Sequence, residues 1–250
     1  MLEKMTIIEI DEIDTSSLKL KFPPAPRSGD YPVIADGLSK KYGDHVVFRD
    51  ASMTIERGQK VAFVGRNGEG KSTMIKAIMG EIDFEGKCDL GHNIKVGYFA
   101  QNQAALLDPE LSVFQTVDEV AEGDIRTQLK SILGCFMFSG DDIDKKVSLL
   151  SGGERTRLAM VKLLLEPVNL LILDEPTNHL DIRSKDVLKD ALLAFDGTLI
   201  LVSHDRDFLQ GLAEKVFEFK DKRVLEHFET VDDFLIRNRM ENLREIEKRG

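Results

Sequence analysis

A short glycine-rich segment constrains the fold of this chain more than any other stretch. It occupies residues 65–72, reads GRNGEGKS, and fits the pattern G-x-x-x-x-G-K-[ST] at every fixed position. The apolar run Val61–Val64 precedes it, and a helical pattern over Lys71–Met79 follows it and ends at Gly80. A strand, a glycine loop and a helix in this order predict a phosphate-binding loop in an α/β fold.

The residue types of this segment suit a nucleoside triphosphate. Glycines let the backbone curl so that successive N–H groups point at phosphate oxygens, and the helix N-terminus adds its dipole. Lys71 would reach the β- and γ-phosphates, and the Ser72 hydroxyl would be a ligand of Mg²⁺. The carboxylate of Glu69 is expected to point away, because only its backbone N–H is needed. The predicted ligands of ATP in this segment are Gly65, Arg66, Asn67, Gly68, Glu69, Gly70, Lys71, Ser72 and Thr73.

The rest of the chain alternates strand-like and helix-like segments. The strand candidates are Val33–Ile34, Val46–Phe48, Ile94–Phe99, Leu170–Leu173, Leu199–Val202 and a hairpin of Val216–Phe219 with Val224–Phe228. The helix candidates are Val113–Leu133, Glu154–Leu165, Ser184–Ala194 and a charged tail over Phe234–Lys248. Strands that alternate with helices predict a mainly parallel α/β core with a helical insertion in its middle.

Two acidic residues end the apolar run Leu170–Leu173. A wholly apolar strand of a parallel sheet carries the residue after it to the crevice where ligands bind. Asp174 would hold Mg²⁺ there, and Glu175 would orient and polarise the water that attacks the γ-phosphate. A structural ion pair is the alternative for an isolated pair of this kind, and the phosphate loop argues against it. A two-carboxylate glycosidase is excluded because neighbouring residues of a strand point opposite ways.

Charge and composition limit the partners that the chain can bind and the compartment in which it functions. The net charge of −10 argues against a general nucleic-acid coat and against binding to an anionic membrane. The longest apolar runs are too short to span a bilayer, and the N-terminal residues do not resemble a signal peptide. Cys88 and Cys135 are not at metal-binding spacing, and two thiols in a chain of 250 residues indicate a reducing compartment. We therefore expect a cytoplasmic protein.

A second anion-binding helix N-terminus is predicted at Leu150–Glu154, which reads LSGGE. Ser151 and the glycine amides lie before a long helical pattern, where unpaired N–H groups and the helix dipole favour an anion. One ATP needs only one phosphate cradle. The second site therefore binds another anion, or it serves an ATP that a partner domain carries.

The segment Leu150–Glu154 strongly resembles the signature motif of ATP-binding cassette (ABC) proteins. The other motifs of that family are also present, in the expected order along the chain, over about residues 32–228. The resemblance implies an ABC ATPase domain with a phosphate-loop core, an antiparallel β subdomain and an α-helical insertion at about residues 104–150. Eight residues would take family roles beside the core motifs. Ser151, Gly152, Gly153 and Glu154 would cap the γ-phosphate of the opposite domain, and Asp181 would lie in the loop that crosses to it. Tyr42 would stack on adenine, Gln101 would link metal and water to the insertion, and His204 would contact the γ-phosphate.

Two stretches resemble the ABC-F branch of that family, namely Glu175–Asp181 (EPTNHLD) and Ser203–Leu209 (SHDRDFL). ABC-F proteins are soluble, carry two cassettes in one chain, and many act on the ribosome. Residues 1–31 resemble the end of the linker between those cassettes, so residues 32–229 would be the second cassette and residues 230–250 a C-terminal helical tail.

The ABC-F resemblance implies a function for the chain. ATP binding and hydrolysis would drive closure against a partner cassette, in the same chain or in a homodimer. The whole protein would be a ribosome-associated translation or antibiotic-resistance factor that meets ribosome and tRNA through the linker.

Two alternative functions stay open. The nucleotide-binding subunit of an ABC membrane transporter would share the chemistry and dock its insertion on a membrane protein; the stretch after Glu175 and the linker-like opening argue against it. A module that binds ATP without hydrolysing it would not need Glu175 and His204 together. A dinucleotide-binding Rossmann protein is excluded, because the glycine spacing differs and Lys71 and Ser72 belong to phosphoryl chemistry.

Overall fold

The computed structural model describes residues 22–100, 102–178 and 180–237, which form an α/β domain and confirm the predicted fold class. Its strands are β1 (Val33–Tyr42), β2 (His45–Ile55), β3 (Lys60–Gly65), β4 (Glu85–Leu90), β5 (Val96–Phe99), β6 (Leu170–Asp174), β7 (Thr198–Val202), β8 (Lys215–Lys220) and β9 (Arg223–His227). Its α-helices are α1 (Lys71–Ile78), α2 (Val113–Asp118), α3 (Ile125–Cys135), α4 (Gly152–Leu164), α5 (Ile182–Ala194) and α6 (Arg206–Leu209).

The larger sheet has the strand order β5-β6-β7-β3-β8-β9. All neighbours are parallel except β8 and β9, which form the predicted hairpin. Strands β6 and β7 are buried along their whole length, and their alternate residues point to opposite faces. Leu171 and Leu201 belong to one apolar cluster, whereas Ile172 and Ile200 belong to the other. Because both faces are covered, these strands read as unbroken apolar runs in the sequence.

The smaller sheet is antiparallel, with the strand order β2-β1-β4, as the family resemblance implied. The predicted strands Val33–Ile34 and Val46–Phe48 were too short, since β1 has 10 residues and β2 has 11. Both strands continue beyond their apolar runs by alternating buried and exposed positions. Strand β4 was not predicted, because its residues are mostly exposed and polar and carry no apolar pattern.

A mainly helical insertion lies between β5 and β6. One continuous helical pattern over Val113–Leu133 was expected, but the structure divides it into α2 and α3. The break contains Gly123, whose φ of 56° is in the left-handed region and ends helical continuation. Helix α2 begins after Ser112, which forms a capping box with Gln115. The apolar residues of the insertion share one core cluster with a face of the larger sheet.

The segment that leads into β1 lies at the end of the larger sheet where the parallel strands begin. The buried side chain of Asn169, just before β6, donates hydrogen bonds to the carbonyl oxygens of Pro26 (2.7 Å) and Asn93 (2.9 Å). Its Oδ1 accepts a hydrogen bond from the amide of Lys95 at 2.8 Å. The glycine-rich segment 65–72 follows the opposite end of β3, so the segment that leads into β1 is attached at the other end of the sheet.

The two ends of the chain extend beyond the described residues. Of the predicted linker, residues 1–21 lie outside them, and so do residues 238–250 of the predicted tail. Residues 231–237 are helical. The domain limits stay a prediction. Within the described ranges, no helix combines the length and the hydrophobicity that crossing a membrane requires.

Candidate active site

The phosphate loop connects the end of β3 to the start of α1. Gly70 is the N-cap of α1, with φ 99°, and no side chain caps this helix. A Cβ atom on Gly70 would lie 2.5 Å from Cγ1 of Val47, and one on Gly65 would lie 2.4 Å from the carbonyl oxygen of Phe219. The two glycines are therefore required by close approach as well as by backbone conformation.

Lys71 is only 7% exposed and lies folded against its own loop. Its Nζ donates hydrogen bonds to the carbonyl oxygens of Gly65 (2.8 Å) and Arg66 (2.9 Å). Burial lowers the pKa of Lys71, and the carboxylates of Glu175, Asp174 and Glu69 oppose that shift, in that order. A partly desolvated ammonium held by neutral acceptors is a strong attractant for an anion.

An open cleft of about 650 Å³ lies above this loop. Ten residues predicted for the site line it: Tyr42, Asn67, Gly68, Gly70, Lys71, Ser72, Thr73, Asp174, Glu175 and His204. Four lining residues were not predicted: His45, Val47, Asn178 and Val202. Of the predicted loop ligands, Gly65, Arg66 and Glu69 do not line the cleft, and the side chain of Glu69 was expected to point away.

Asp174 and Glu175 reach the cleft in different ways. Asp174 is the last residue of β6, is 5% exposed and pairs in register with Val202 of β7. Glu175 has a φ of 53°, in the left-handed region that non-glycine residues rarely adopt, and its amide donates to the carbonyl of Val202 at 2.8 Å. This sharp turn lets two neighbouring carboxylates face one space, which two neighbours within a strand could not do.

Glu175 and His204 meet at the side of the cleft. His204 Nε2 lies 3.5 Å from Glu175 Oε1, and the His204 amide donates to Glu175 Oε2 at 3.4 Å. Within the described part of the chain, Oε1 is buried and accepts no hydrogen bond. Burial raises the pKa of Glu175, and the proximity of His204 opposes the rise. A carboxylate with an unused acceptor atom beside a histidine can accept a proton from, or orient, a water molecule.

A buried pair of hydroxyls joins the loops that carry these two residues. Thr177, two positions after Glu175, has its Oγ1 3.4 Å from Oγ of Ser203, which immediately precedes His204. Both side chains are buried, and Ser203 Oγ also accepts a hydrogen bond from the amide of Asp205 at 3.1 Å. These buried contacts between the two loops help to fix the position of Glu175 relative to His204.

The signature segment lies apart from the residues that line the cleft. Ser151 is the N-cap of α4, and it forms a capping box with Glu154 through hydrogen bonds of 2.7 and 3.3 Å. Ser151 and Gly152 are exposed, while Gly153 and Glu154 are half-buried. An exposed helix N-terminus of this kind is accessible to an anion from outside the domain.

The remaining predicted residues have the following places. Asp181 caps α5 by accepting hydrogen bonds from the amide (2.9 Å) and hydroxyl (2.8 Å) of Ser184, and it lies 3.6 Å from Arg157. A local capping role was missed in the sequence, although Asp before an apolar helix start is a recognised signal. Tyr42 ends β1 with its ring half-exposed at the cleft, and Gln101 lies outside the described residues.

The fold and the cleft define a phosphate-loop NTPase domain. The family model described as "ABC transporter" matches residues 48–178, which is more than half of the chain. The chain therefore belongs to the ABC transporter family, and specifically to its ATP-binding ATPase domains.

Three curated relatives place the chain near the F branch. It is 42% identical to "ABC transporter F family member 2" of Arabidopsis thaliana, over 99% of this chain and 37% of that protein. It is 36% identical to "Probable ATP-binding protein YbiT" of Escherichia coli O157:H7, over 91% of this chain and 44% of the relative. It is 41% identical to "ATP-binding protein Uup" of Caulobacter vibrioides, over 79% of this chain and 33% of the relative. These relatives confirm the resemblance to ABC-F proteins.

A solved structure supports the fold independently of close sequence likeness. "Structure of a bacterial Atm1-family ABC exporter with ATP bound" superposes with a TM-score of 0.70 at 20% identity, over 86% of this chain and 41% of that one. At this identity the likeness concerns the fold alone. The chain spans less than half of each of these proteins, so their whole activities are not transferred to it.

Proposed function

We propose that this chain binds ATP with Mg²⁺ in the cleft above α1 and hydrolyses the ATP when a second cassette closes over it. One observation carries the proposal: the phosphate loop, two carboxylates and a histidine face a single open space. The amides and Lys71 suit the triphosphate, and the half-exposed ring of Tyr42 suits the adenine by stacking.

The residues present fit a magnesium ion. Ser72 contributes a hydroxyl oxygen and Asp174 a carboxylate oxygen, both lining the cleft, and these are the ligand types that Mg²⁺ prefers. When bound, the ion would offset negative charge on the β- and γ-phosphates. Gln101 completes the proposed metal ligands on the strength of the family resemblance.

Glu175 and His204 would act on the water and the γ-phosphate. Oε1 of Glu175, which accepts no hydrogen bond from the described residues, can accept a proton from water, and burial holds the pKa of this carboxyl above its ordinary value, which favours proton transfer. His204 lies within 3.5 Å of that oxygen with its side chain 49% exposed, so it can orient the carboxylate on one side and meet phosphate on the other.

A second cassette would complete the site. The cleft is open, and Ser151, Gly152, Gly153 and Glu154 form an exposed helix N-terminus outside it. Two such domains arranged face to face would each offer this N-terminus to the other's triphosphate, with Asp181 in the adjoining loop. The F family relatives are more than twice as long as this chain, which leaves room for a second cassette in one protein.

Replacement of Glu175 by Gln tests the function. Glu175→Gln keeps the shape and removes the proton acceptor, so ATP binding should persist while turnover falls by about 100-fold or more. ATP should then hold two domains together, which size-exclusion chromatography with and without ATP would detect. Phosphate release measured alongside calorimetric ATP binding gives the two readouts.

The matched control is Glu166→Gln. Glu166 follows α4, is away from the cleft lining, and its pKa is likewise raised by burial. This variant should turn over ATP like the parent. If Glu175→Gln hydrolyses ATP at the parent rate, the role assigned to Glu175 is wrong.

The wider role rests on the ABC-F resemblance. We propose a cytoplasmic, ribosome-associated translation or antibiotic-resistance factor, with linker residues between the cassettes as the contact to ribosome or tRNA. Sedimentation of the full-length protein with ribosomes would support this role, and partition into membranes instead would favour a transporter subunit.

A further inference from the structure

Helix α5 holds the segment that follows His204 at two points. Lys185 Nζ lies 2.7 Å from Oδ2 of Asp205, the residue after His204. One turn further along α5, Lys189 Nζ donates to the carbonyl oxygen of Asp207 at 2.7 Å. Two adjacent lysines of one helix face thus bind the short segment that ends in α6.

Asp205 is the centre of this attachment. Its Oδ1 accepts the Phe208 amide at 3.1 Å and so caps α6, while Oδ2 is taken by Lys185. Hydrogen bonding to Lys185 is the largest cause that lowers the pKa of Asp205, so the aspartate is ionised and paired at neutral pH. The bonds to Phe208 and Ser203 are local, whereas Lys185 ties Asp205 to a different element.

The other contacts of His204 are longer. Its amide and ring lie 3.4 and 3.5 Å from the Glu175 carboxylate, at the weak end of hydrogen-bond distances. The histidine side chain is 49% exposed and gains little from packing. The charged pair of Lys185 and Asp205, one residue away, is shorter at 2.7 Å than either contact of His204 itself with Glu175.

Helix α5 also begins at Asp181. The carbonyl of Asp181 accepts the Lys185 amide at 3.0 Å, and its side chain caps the helix. Lys185 thus lies one turn from the loop that we assign to the partner-facing side, and it contacts the loop that carries His204. A displacement of α5 would move both loops together.

We propose that Lys185 is a positioning residue for ATP hydrolysis, which acts through Asp205 to hold His204 beside Glu175 and to make the His204 loop follow α5. The inference rests on the function proposed above for His204. The pair is partly exposed, at 33% for Lys185 and 24% for Asp205, so its share of global stability is small. Its loss should be visible in turnover rather than in folding.

The test replaces Lys185 with Met, which keeps the length of the side chain and removes its charge. We expect Lys185→Met to lower kcat about fivefold, with the Kd for ATP unchanged within about twofold, because Lys185 does not line the cleft. Lys185→Arg should retain most of the rate, since a guanidinium can also bind Asp205. The matched control is Lys162→Met, which breaks a similar pair with Glu119 (3.1 Å) and should leave kcat unchanged.

A second variant separates positioning from general weakening. In a His204→Ala background, Lys185→Met should lower kcat no further, because the residue through which it acts is gone. A further drop in the double variant, or an unchanged kcat in Lys185→Met alone, would overturn the proposal.

Hydrogen exchange at the His204 amide gives a readout that needs no turnover. In Lys185→Met this amide should exchange faster than in the parent, while Lys162→Met leaves it unchanged. If the parent chain neither binds nor hydrolyses ATP, the proposed function fails, and the exchange rate still decides whether Lys185 holds the His204 loop. Equal exchange in parent and Lys185→Met would contradict it.

Discussion

The N-termini of α1 and α4 are built differently although both lie within glycine-containing motifs. Helix α1 begins after Gly70 without a side-chain cap and with no acidic residue in its first turn. Helix α4 begins after Ser151 with a complete capping box, and Glu154 is in its first turn. The first terminus lines a cleft, and the second is exposed outside the lining of that cleft.

The difference concerns which backbone N–H groups remain for a ligand. A helix leaves four amides without intrahelical partners, and a capping box satisfies two of them from within the chain. At α4 the carboxylate of Glu154 also offsets the helix dipole. At α1 the amides stay available, and Lys71 adds a buried cation. We therefore propose that the α1 terminus binds an anion with groups of one chain, whereas the α4 terminus, already satisfied by its own capping box, would meet an anion that a second molecule brings.

Lys71→Ala should produce the largest effect, and it tests whether the N-terminus of α1 binds the triphosphate. Loss of a charged donor to phosphate costs about 2–3 kcal/mol, which is a roughly 30- to 150-fold rise in the Kd for ATP. Isothermal titration calorimetry of the single chain measures it. Ser151→Ala should leave that Kd unchanged, because Ser151 does not line the cleft of its own chain. Equal affinity of Lys71→Ala and parent would refute the assignment.

A pair of glycine substitutions should give the next largest effect. Gly70→Ala puts a Cβ atom 2.5 Å from Val47 at a φ of 99°, and overpacking of this kind costs about 2 kcal/mol of the free energy of unfolding. Gly152→Ala meets open space, so its unfolding free energy should stay within about 0.5 kcal/mol of the parent. Urea unfolding of both variants compares them, and similar losses would show that α1 is no more tightly constrained than α4.

The sequence predicted those parts of the candidate site that are formed by residues close together along the chain. The phosphate loop is a contiguous pattern, and the apolar runs of β6 and β7 reveal strands that are buried on both faces. Asp174 and Glu175 follow from the end of such a run. In each case neighbours along the chain are also the neighbours that matter in space.

Other features have no local signal. Strand β4 is a mostly exposed edge strand, so its residues lack alternation. Asn178 lines the cleft after the chain turns at Glu175, where a non-glycine residue adopts a left-handed φ that the sequence does not mark. The pairing of Lys185 with Asp205 joins residues 20 positions apart on different elements, and charge patterns along one helix cannot show it. The break at Gly123 could have been predicted, because this glycine lies among polar residues. The helical spacing of the apolar residues on both sides led instead to the prediction of one continuous helix.

The smallest expected effect distinguishes the cap of α4 from a similar cap elsewhere. Ser151→Ala removes the capping box and should lower the free energy of unfolding by about 1 kcal/mol at pH 7. Hydrogen bonds with Ser151 lower the pKa of Glu154 below its ordinary value of 4.5. An acid with a depressed pKa in the folded state stabilises the fold above its unfolded pKa and loses that contribution as the pH falls through the folded value. The difference between parent and Ser151→Ala should therefore shrink below pH 4.5.

Helix α2 supplies the control for this pH dependence. Ser112 forms the same box with Gln115, which carries no charge, so Ser112→Ala should cost a similar amount that does not change between pH 7 and pH 4. Urea unfolding of the three proteins at several pH values separates the two caps. If the cost of Ser151→Ala is also independent of pH, the carboxylate of Glu154 does not contribute as an ion, and the electrostatic contrast between the N-termini of α4 and α1 disappears.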